Sequence, residues 1–218
     1  MASEARVLSS IGVSLLEHYV SPVEEAALLE RACHPAARWT SVSGRRLQSL
    51  GGLVHEKAGL LPAPLPKWLQ NLFARLSTAN FFASSGGPPN HVLVNAYEPG
   101  QGIAAHEDGP LYAPAVAILS LGATAVMCFS PHARLLDAAA REGAPLPGAL
   151  RVFLPRRSLL VFEGQAYTDF LHGIASVSCD DTRGVCNAPA GEGLVEREGL
   201  RVSLTVRRVV KQRAILRL

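Results

Sequence analysis

His106 and Asp108 stand two residues apart in the run Gln101–Pro110. On an extended backbone, residues i and i+2 point to the same side. The pair therefore sets an imidazole beside a carboxylate oxygen, two of the three ligands of a facial two-histidine, one-carboxylate metal site. Glu107 points the other way, and a metal should not need it. By itself the pair also fits an ordinary polar loop, so its meaning depends on what else the chain carries.

A third ligand is available in His172, which closes the run Tyr167–Leu171 and precedes Gly173. His132 competes, since it too follows a strand-like run and lies nearer to Asp108 in sequence. His18, His34, His55 and His91 fit less well. Upstream, His91 to Tyr97 alternates: Val92, Val94 and Ala96 form an apolar face, and Leu93, Asn95 and Tyr97 the other. Downstream, Leu200 to Arg208 alternates more strictly. Val202, Leu204 and Val206 share one face; Arg201, Ser203, Thr205 and Arg207 share the opposite one. Such a strand is either half exposed or turns its polar face inward. An inward Arg requires an anionic partner, because an unpaired buried cation is costly. A dicarboxylate would meet that need through a bidentate guanidinium pair.

These parts assemble into one chemical expectation. His106, Asp108 and His172 hold Fe(II) and leave three coordination positions open. The 2-oxo acid end of 2-oxoglutarate takes two and O2 the third. The far carboxylate pairs with Arg201, supported by Tyr97, Asn95 and Ser203. A zinc hydrolase could use the same triad, but it would have no use for an inward Arg201.

The elements that must position these residues follow from composition and pattern. The chain has 218 residues, 48% of them hydrophobic and 18% charged, with a formal net charge of +3. That is globular composition, long enough for one domain with a sizeable core. The charge permits a polyanionic partner without requiring one. Cys33, Cys128, Cys179 and Cys186 lack zinc-type spacing and read as reduced intracellular thiols, with Cys179 and Cys186 close enough to pair under oxidation. No secretory leader or membrane-length apolar run is seen.

Residues 1 to about 20 are expected to be weakly structured, with a short strand near Gly12 to Leu16. Ser21-Pro22-Val23-Glu24 is a helix start, with a Ser cap, Pro at the first position and Glu three residues on. The helix should run to about Cys33 and bury Val23, Ala27, Leu28 and Leu29. A short strand is expected at Trp39 to Val42. Gly44 to Gly52 reads as a shaped surface loop. A second helix, Lys67 to Thr78, carries Trp68, Leu69, Leu72, Phe73 and Leu76 at helical spacing, and Asn80 ends it. After Asn90, strand-like runs separated by turns replace helices: His91 to Tyr97, Ala115 to Leu121, Ala125 to Phe129, Leu150 to Leu154, Leu159 to Phe162, Tyr167 to His172 and Leu200 to Val210. An insert at His132 to Ala149 holds a short helix. A second, polar insert at Ser176 to Gly199 should be mobile. The chain thus divides into an N-terminal extension over residues 1–89 and a β core over 90–218, within one integrated domain.

Asn95-x-Tyr97, His106-x-Asp108, His172 and Arg201-x-Ser203-x-Thr205-x-Arg207 together resemble the ordered motif set of AlkB-type Fe(II)/2-oxoglutarate dioxygenases. The text around them, notably Asn90 to Asn95, Pro110-Leu111-Tyr112, Pro155 to Val161 and Leu171 to Ile174, is similar to the sixth-homologue branch of that family in animals and plants. The resemblance covers most of the chain and is looser before Trp39 and in Ser176 to Gly199. It implies a mainly β fold: a double-stranded β-helix, or jelly-roll, core with flanking helices and an N-terminal helical and loop extension. It implies Fe(II), 2-oxoglutarate and O2, with Leu93, Asn95, Tyr97, Arg201, Ser203 and Arg207 as the cosubstrate set. It implies nucleotide-recognition flaps, with Gly44, Arg45, Arg46 and Gly51 as substrate contacts. The implied activity is oxidative demethylation of alkylated DNA or RNA, as in repair of alkylation damage, by a monomeric, soluble protein of nucleus and cytoplasm without a membrane partner.

Two departures bear on the substrate. Ser203 stands where the family often has Asn, and its hydroxyl can still hydrogen-bond. Leu50 stands where the flap often has an aromatic residue, which points away from base flipping in a duplex and toward single strands. Only 6% of residues are aromatic, which limits a stacking platform. A phosphate track is expected from Arg45, Arg46, Arg156 and Arg157, and from the C-terminal run Arg207, Arg208, Lys211, Arg213 and Arg217. The alternatives are the same chemistry on a protein or lipid, and a nucleic-acid-binding protein with weak or no turnover.

Overall fold

A computed structural model describes residues 5–42, 44–79, 81–189 and 193–212. The expected helix stop at Asn80 and the basic residues Arg213 and Arg217 lie outside the described residues. The chain opens with strands β1 (Arg6–Ser9) and β2 (Val13–Leu16), then helix α1 (Pro22–Ala32). Strands β3 (Thr40–Val42) and β4 (Arg45–Leu50) follow, then the hairpin β5 (Gly52–His55) and β6 (Gly59–Pro62). A 3-10 turn at Lys67–Leu69 runs into α2 (Gln70–Thr78). Next come β7 (His91–Tyr97), β8 (Ile103–His106), β9 (Tyr112–Leu121) and β10 (Ala125–Pro131), then α3 (Ala133–Glu142). β11 (Leu150–Leu154), β12 (Leu159–Glu163), the single-turn α4 (Gln165–Thr168) and β13 (Phe170–Ile174) lead to the small pair β14 (Cys179–Asp181) and β15 (Leu194–Glu196). β16 (Arg201–Val209) closes the described fold.

Two antiparallel sheets form the body. The larger has the order β1-β2-β12-β9-β16-β7-β4-β3, the smaller β11-β10-β13-β8. One apolar core lies between the sheets, with Ile118, Phe129, Leu160, Phe162 and Ile174 at its centre. A second lies on the outer face of the large sheet, where α1 and α2 pack Leu28, Leu72 and Leu76 onto Val94, Leu119 and Leu204. The alternation of β16 is thereby resolved. Its apolar face is covered by helices, and its polar face turns into the molecule: Arg201 and Ser203 are each 3% exposed and Arg207 is 6% exposed. No helix of the described residues is long and apolar enough to cross a membrane. All four cysteines are free thiols.

Several local expectations are corrected. Residues 5–20 are not weakly structured. Val13 and Leu15 are buried, and β2 adds to the large sheet beside β12 with Leu16 opposite Leu159. Gly44 to Gly52 is mostly strand: β4 pairs with β7 from Arg46–Ala96 to Leu50–Val92. Only its ends turn. At Gly51, φ is +91° and a Cβ would meet the Asn90 carbonyl oxygen at 2.4 Å, so the turn into β5 needs glycine. Tyr167 belongs to α4, and its strand starts at Phe170.

The capping box on α1 forms as read, Ser21 accepting from the Glu24 amide while Glu24 accepts from the Ser21 amide. Its buried stripe differs. Val23 and Ala27 face solvent, whereas Glu25, Leu28 and Ala32 are buried. The cause is ionic. Glu25 is 3% exposed and accepts from the Gly122 amide at 2.9 Å and from Arg156 at 2.9 and 3.2 Å. A buried carboxylate must be paired in this way, and the pairing rotates the helix. It also engages Arg156, one of the residues expected in the phosphate track.

The described residues of the insert, 176–189 and 193–199, are anchored rather than loose. Arg197 and Asp180 form a buried ion pair at 2.6 Å, and Arg197 also donates to the carbonyls of Gln101 and Ala175. The Asn187 side chain bonds both the amide and the carbonyl of Phe153.

Candidate active site

The cavity between the two sheets is lined from both. From β7 come Leu93, Asn95 and Tyr97; from β16 Arg201, Ser203, Thr205 and Arg207; from the smaller sheet Met127, His172 and Ile174. His106 and Asp108 stand at one end of it. The cavity is partly open to solvent, and about 60 Å³ of it is accessible to the centre of a water-sized group, which suits a small ligand.

His106 and His172 face each other because β8 and β13 pair with those two residues in register. Gly173 permits the approach. A Cβ there would lie 2.9 Å from the backbone of Ala105. The imidazole centroids are 4.4 Å apart. One potential ligand atom from each of His106, Asp108 and His172 lies within 4.8 Å of the others. His132, the competing candidate, instead caps α3, its Nδ1 accepting from the Arg134 amide. Glu107 is exposed and reaches Arg134 at 3.6 Å.

Each of the three is held in a form that can ligate. His106 Nδ1 lies 2.9 Å from the Ala104 carbonyl oxygen. A proton on Nδ1 makes that bond and leaves the Nε2 lone pair free. His172 is neutral, because burial against Phe129 and Phe162 lowers its pKa to about 4. Asp108 gives Oδ1 to Arg207 Nη1, while Oδ2 is buried without a partner among the described residues. Arg207 is sandwiched in turn, its guanidinium carbon 4.0 Å from the centre of the Tyr112 ring.

At the opposite end Arg201 donates Nη2 to Ser120 at 2.9 Å and lies 5.6 Å from the Tyr97 ring. Its Nε and Nη1 are buried with no partner among the described residues. Burial lowers its pKa to about 10, so it is still a cation at neutral pH. A buried guanidinium with two idle donors implies an anion that completes it. The unpartnered Asp108 oxygen at one end and the unpartnered Arg201 donors at the other are what a divalent cation and a dicarboxylate would satisfy together. The residues present therefore fit Fe(II) and 2-oxoglutarate.

Three contributors were not foreseen. Ser120 is one polar residue in an apolar run, and a buried hydroxyl needs a partner; that was its signal. His91, dismissed from sequence, is 1% exposed and takes Ser49 Oγ at 2.9 Å on Nε2. Arg45 was assigned to a surface flap, yet its side chain lines the cavity and donates Nε to Asn95 Oδ1 at 3.2 Å. Of its neighbours, Arg46 points outward to Glu98 and Trp39, and Gly44 and Gly51 lie at the two ends of β4. The C-terminal basic run is largely engaged too. Arg207 is inside the cavity, Arg208 donates to the Pro88 carbonyl and Lys211 to that of Lys57.

His91 gives a pH prediction. Burial, reinforced by Arg207 and opposed by Asp108, lowers its pKa from 6.5 to about 4. Below pH 6.5 the unfolded chain takes up this proton and the folded chain does not. The stability contribution is therefore whole above pH 6.5 and is lost as pH falls toward 4. At pH 5 the loss is about 2 kcal/mol. In urea titrations of metal-free protein, wild type should lose about 2 kcal/mol more than His91→Gln between pH 7 and pH 5. Equal losses would show that His91 is not held neutral.

Comparison with known proteins places the chain in a family. The family model for the 2OG-Fe(II) oxygenase superfamily matches residues 12–207. A Danio rerio protein named probable RNA/DNA demethylase ALKBH6 is 37% identical over 205 residues, 91% of this chain and 86% of that protein. The Mus musculus tRNA (carboxymethyluridine(34)-5-O)-methyltransferase ALKBH8 is 28% identical over 91% of this chain, which spans 30% of that longer protein. Among solved structures, OsALKBH1 superposes with a TM-score of 0.59 at 15% identity, covering 94% of this chain and 100% of that one. At that identity the likeness speaks for the jelly-roll fold.

Proposed function

Since the chain belongs to the 2OG-Fe(II) oxygenase superfamily, and is a dioxygenase working with Fe(II), 2-oxoglutarate and O2, we propose that it removes N-methyl groups from alkylated DNA or RNA. The observation that carries this reading is the joint occupancy of one narrow cavity by the His106, Asp108 and His172 ligand atoms and the idle donors of Arg201. The substrate class is drawn from the probable RNA/DNA demethylase of Danio rerio, 37% identical over most of both chains.

His106, Asp108 and His172 would hold the iron. With 2-oxoglutarate and O2 bound, iron there would supply the oxidising power that puts one oxygen atom on the methyl C–H and the other in succinate, with loss of CO2, so that the hemiaminal formed releases formaldehyde. The chain's own work is orientation. Arg207 holds Asp108 Oδ1 and leaves Oδ2 available to ligate a metal. Arg201, braced by Ser120 and backed by Tyr97, takes the far carboxylate of the cosubstrate. Asn95 and Ser203 offer further donors along the slot, and Leu93, Ile118 and Met127 give it apolar walls that keep water out. Neutral His91 adds no positive charge at the Asp108 end.

The metal end also decides the form of the substrate. A base within a duplex cannot reach so narrow a cavity without being unstacked. Leu50 is partly buried and packs against the core under α1 and α2, so it offers no wedge for opening a duplex. This favours single strands, bound by one chain acting alone, in the nucleus and cytoplasm where nucleic acid is found. A groove between the C-terminal end of α1, β4 and the 3-10 turn at Lys67–Leu69 offers a basic path. It is lined by Arg31, His34, Arg38, Trp68 and Ser49, with no carboxylate among its described residues. Ser49 joins it to His91. Arg31→Ala with Arg38→Ala should lower the slope of log affinity against log salt by about 1.4 for a single-stranded oligonucleotide, about 0.7 per lost phosphate contact. An unchanged slope would place the strand elsewhere.

The test of the reading itself is a panel of methylated DNA and RNA oligonucleotides. Formaldehyde and succinate should appear in equal amounts, and only with Fe(II) and 2-oxoglutarate. Succinate formed with a methylated protein and with no oligonucleotide would reject the nucleic-acid substrate.

A further inference from the structure

β7 is flanked in the large sheet by β16 on one side and β4 on the other. Arg201 stands opposite Tyr97 on β16. On β4, Arg46 is opposite Ala96, and the antiparallel register carries Arg45 to the position beside Tyr97. Arg45, Tyr97 and Arg201 thus form one row across three strands, on the face that lines the cavity. Arg207, the arginine at the metal end, is six residues away along β16, about 20 Å of strand. Arg45 therefore belongs to the end of the slot remote from the metal, where a methylated base would not enter.

Two things follow from its contact with Asn95. Donation from Arg45 Nε to Oδ1 at 3.2 Å fixes which way the amide is turned, since Arg can only donate. The amide nitrogen is left with a single long contact, 3.5 Å to the Leu93 carbonyl, and is free to donate to an anion. Arg45 also brings a second guanidinium to a row on which no carboxylate stands among the described residues. Two cations and an idle amide donor around one small space call for a carboxylate.

We propose that Arg45 is a positioning residue for the far carboxylate of 2-oxoglutarate, turning the Asn95 amide donor toward it and adding a second positive charge beside Arg201. This rests on the reading of the cavity as the 2-oxoglutarate slot. It sets selectivity for a dicarboxylate over a 2-oxo monocarboxylate, and it means that Arg45 serves the cosubstrate and not the nucleic acid.

The test is equilibrium dialysis of Fe(II)-loaded protein under argon with labelled 2-oxoglutarate and, separately, 2-oxobutanoate, which lacks the far carboxylate. Arg45→Gln should bind 2-oxoglutarate about tenfold more weakly and 2-oxobutanoate as wild type does. Arg45→Lys should recover part of the loss, since it restores charge without fixing the amide. KM for a methylated oligonucleotide should not change. Equal loss for both 2-oxo acids in both variants, or a rise in the oligonucleotide KM alone, would overturn the assignment. Unchanged 2-oxoglutarate affinity in Arg45→Gln, with affinity lost in Arg201→Ala, would reject Arg45 and keep the slot. If Arg201→Ala also bound normally, the slot itself would be wrong.

Discussion

His106→Ala is expected to bind Fe(II) at least 100-fold more weakly than wild type and to release no measurable formaldehyde. The reasoning is geometric. The Ala104 carbonyl fixes the His106 ring so that Nε2 faces the other two ligand atoms. His172 lies across the β8–β13 ladder and Asp108 two residues on, so no other described histidine can take its place without a shift of the sheet. Loss of a group that merely orients a ligand costs about 10- to 100-fold in metal affinity or activity, and loss of the ligand itself costs more. Glu107→Ala is the matched control. It removes the carboxylate between the two ligands, which faces Arg134 at the surface, and iron affinity should stay within twofold. Calorimetric titration of iron under argon reads both. An Ala variant that still binds iron and turns over would dismiss the triad, and a parallel titration of His132→Ala would show whether that histidine had taken its role.

Arg201→Ala should separate cosubstrate from metal. Iron affinity stays, while 2-oxoglutarate affinity falls by about 100- to 1,000-fold, the range for removing one partner of a buried, hydrogen-bonded charge pair. Arg201 has two buried donors without a partner among the described residues, so its loss alone costs the fold little. The cosubstrate changes that balance. Ligand binding raises the stability of wild type by mass action, so its melting temperature should climb with 2-oxoglutarate, and that of Arg201→Ala should not. Arg201→Lys should fall between, because a single ammonium cannot reproduce the fork that also reaches Ser120. Equal losses for iron and 2-oxoglutarate would mean that Arg201 supports the fold and not the anion.

Chemistry carried by short spacing was legible in the sequence. His106-x-Asp108 and the strict alternation from Arg201 to Arg207 are set by the two-residue period of a strand, which needs no knowledge of neighbours. The capping box on α1 is likewise local. What failed depended on contacts distant in sequence. Glu25 looked like a solvent-facing helix residue until Gly122 and Arg156 arrived from the far half of the chain. Gly44 to Gly52 looked like a loop because glycines bound it and basic residues fill it. Its partner β7 begins some forty residues later, and the ladder between them overrides that local signal.

The sequence alone determined which residue types could hold a metal and an anion, since period-2 spacing and the cost of burying an unpaired cation are properties of any chain. It did not determine that His172 and not His132 faces His106. That depends on the β8–β13 register and on the missing side chain at Gly173. Nor did it reveal that Arg45 shares a row with Tyr97 and Arg201. Strand order in a sheet is decided by which buried faces and edges find each other across the whole fold, and only the tertiary structure brings those three strands together.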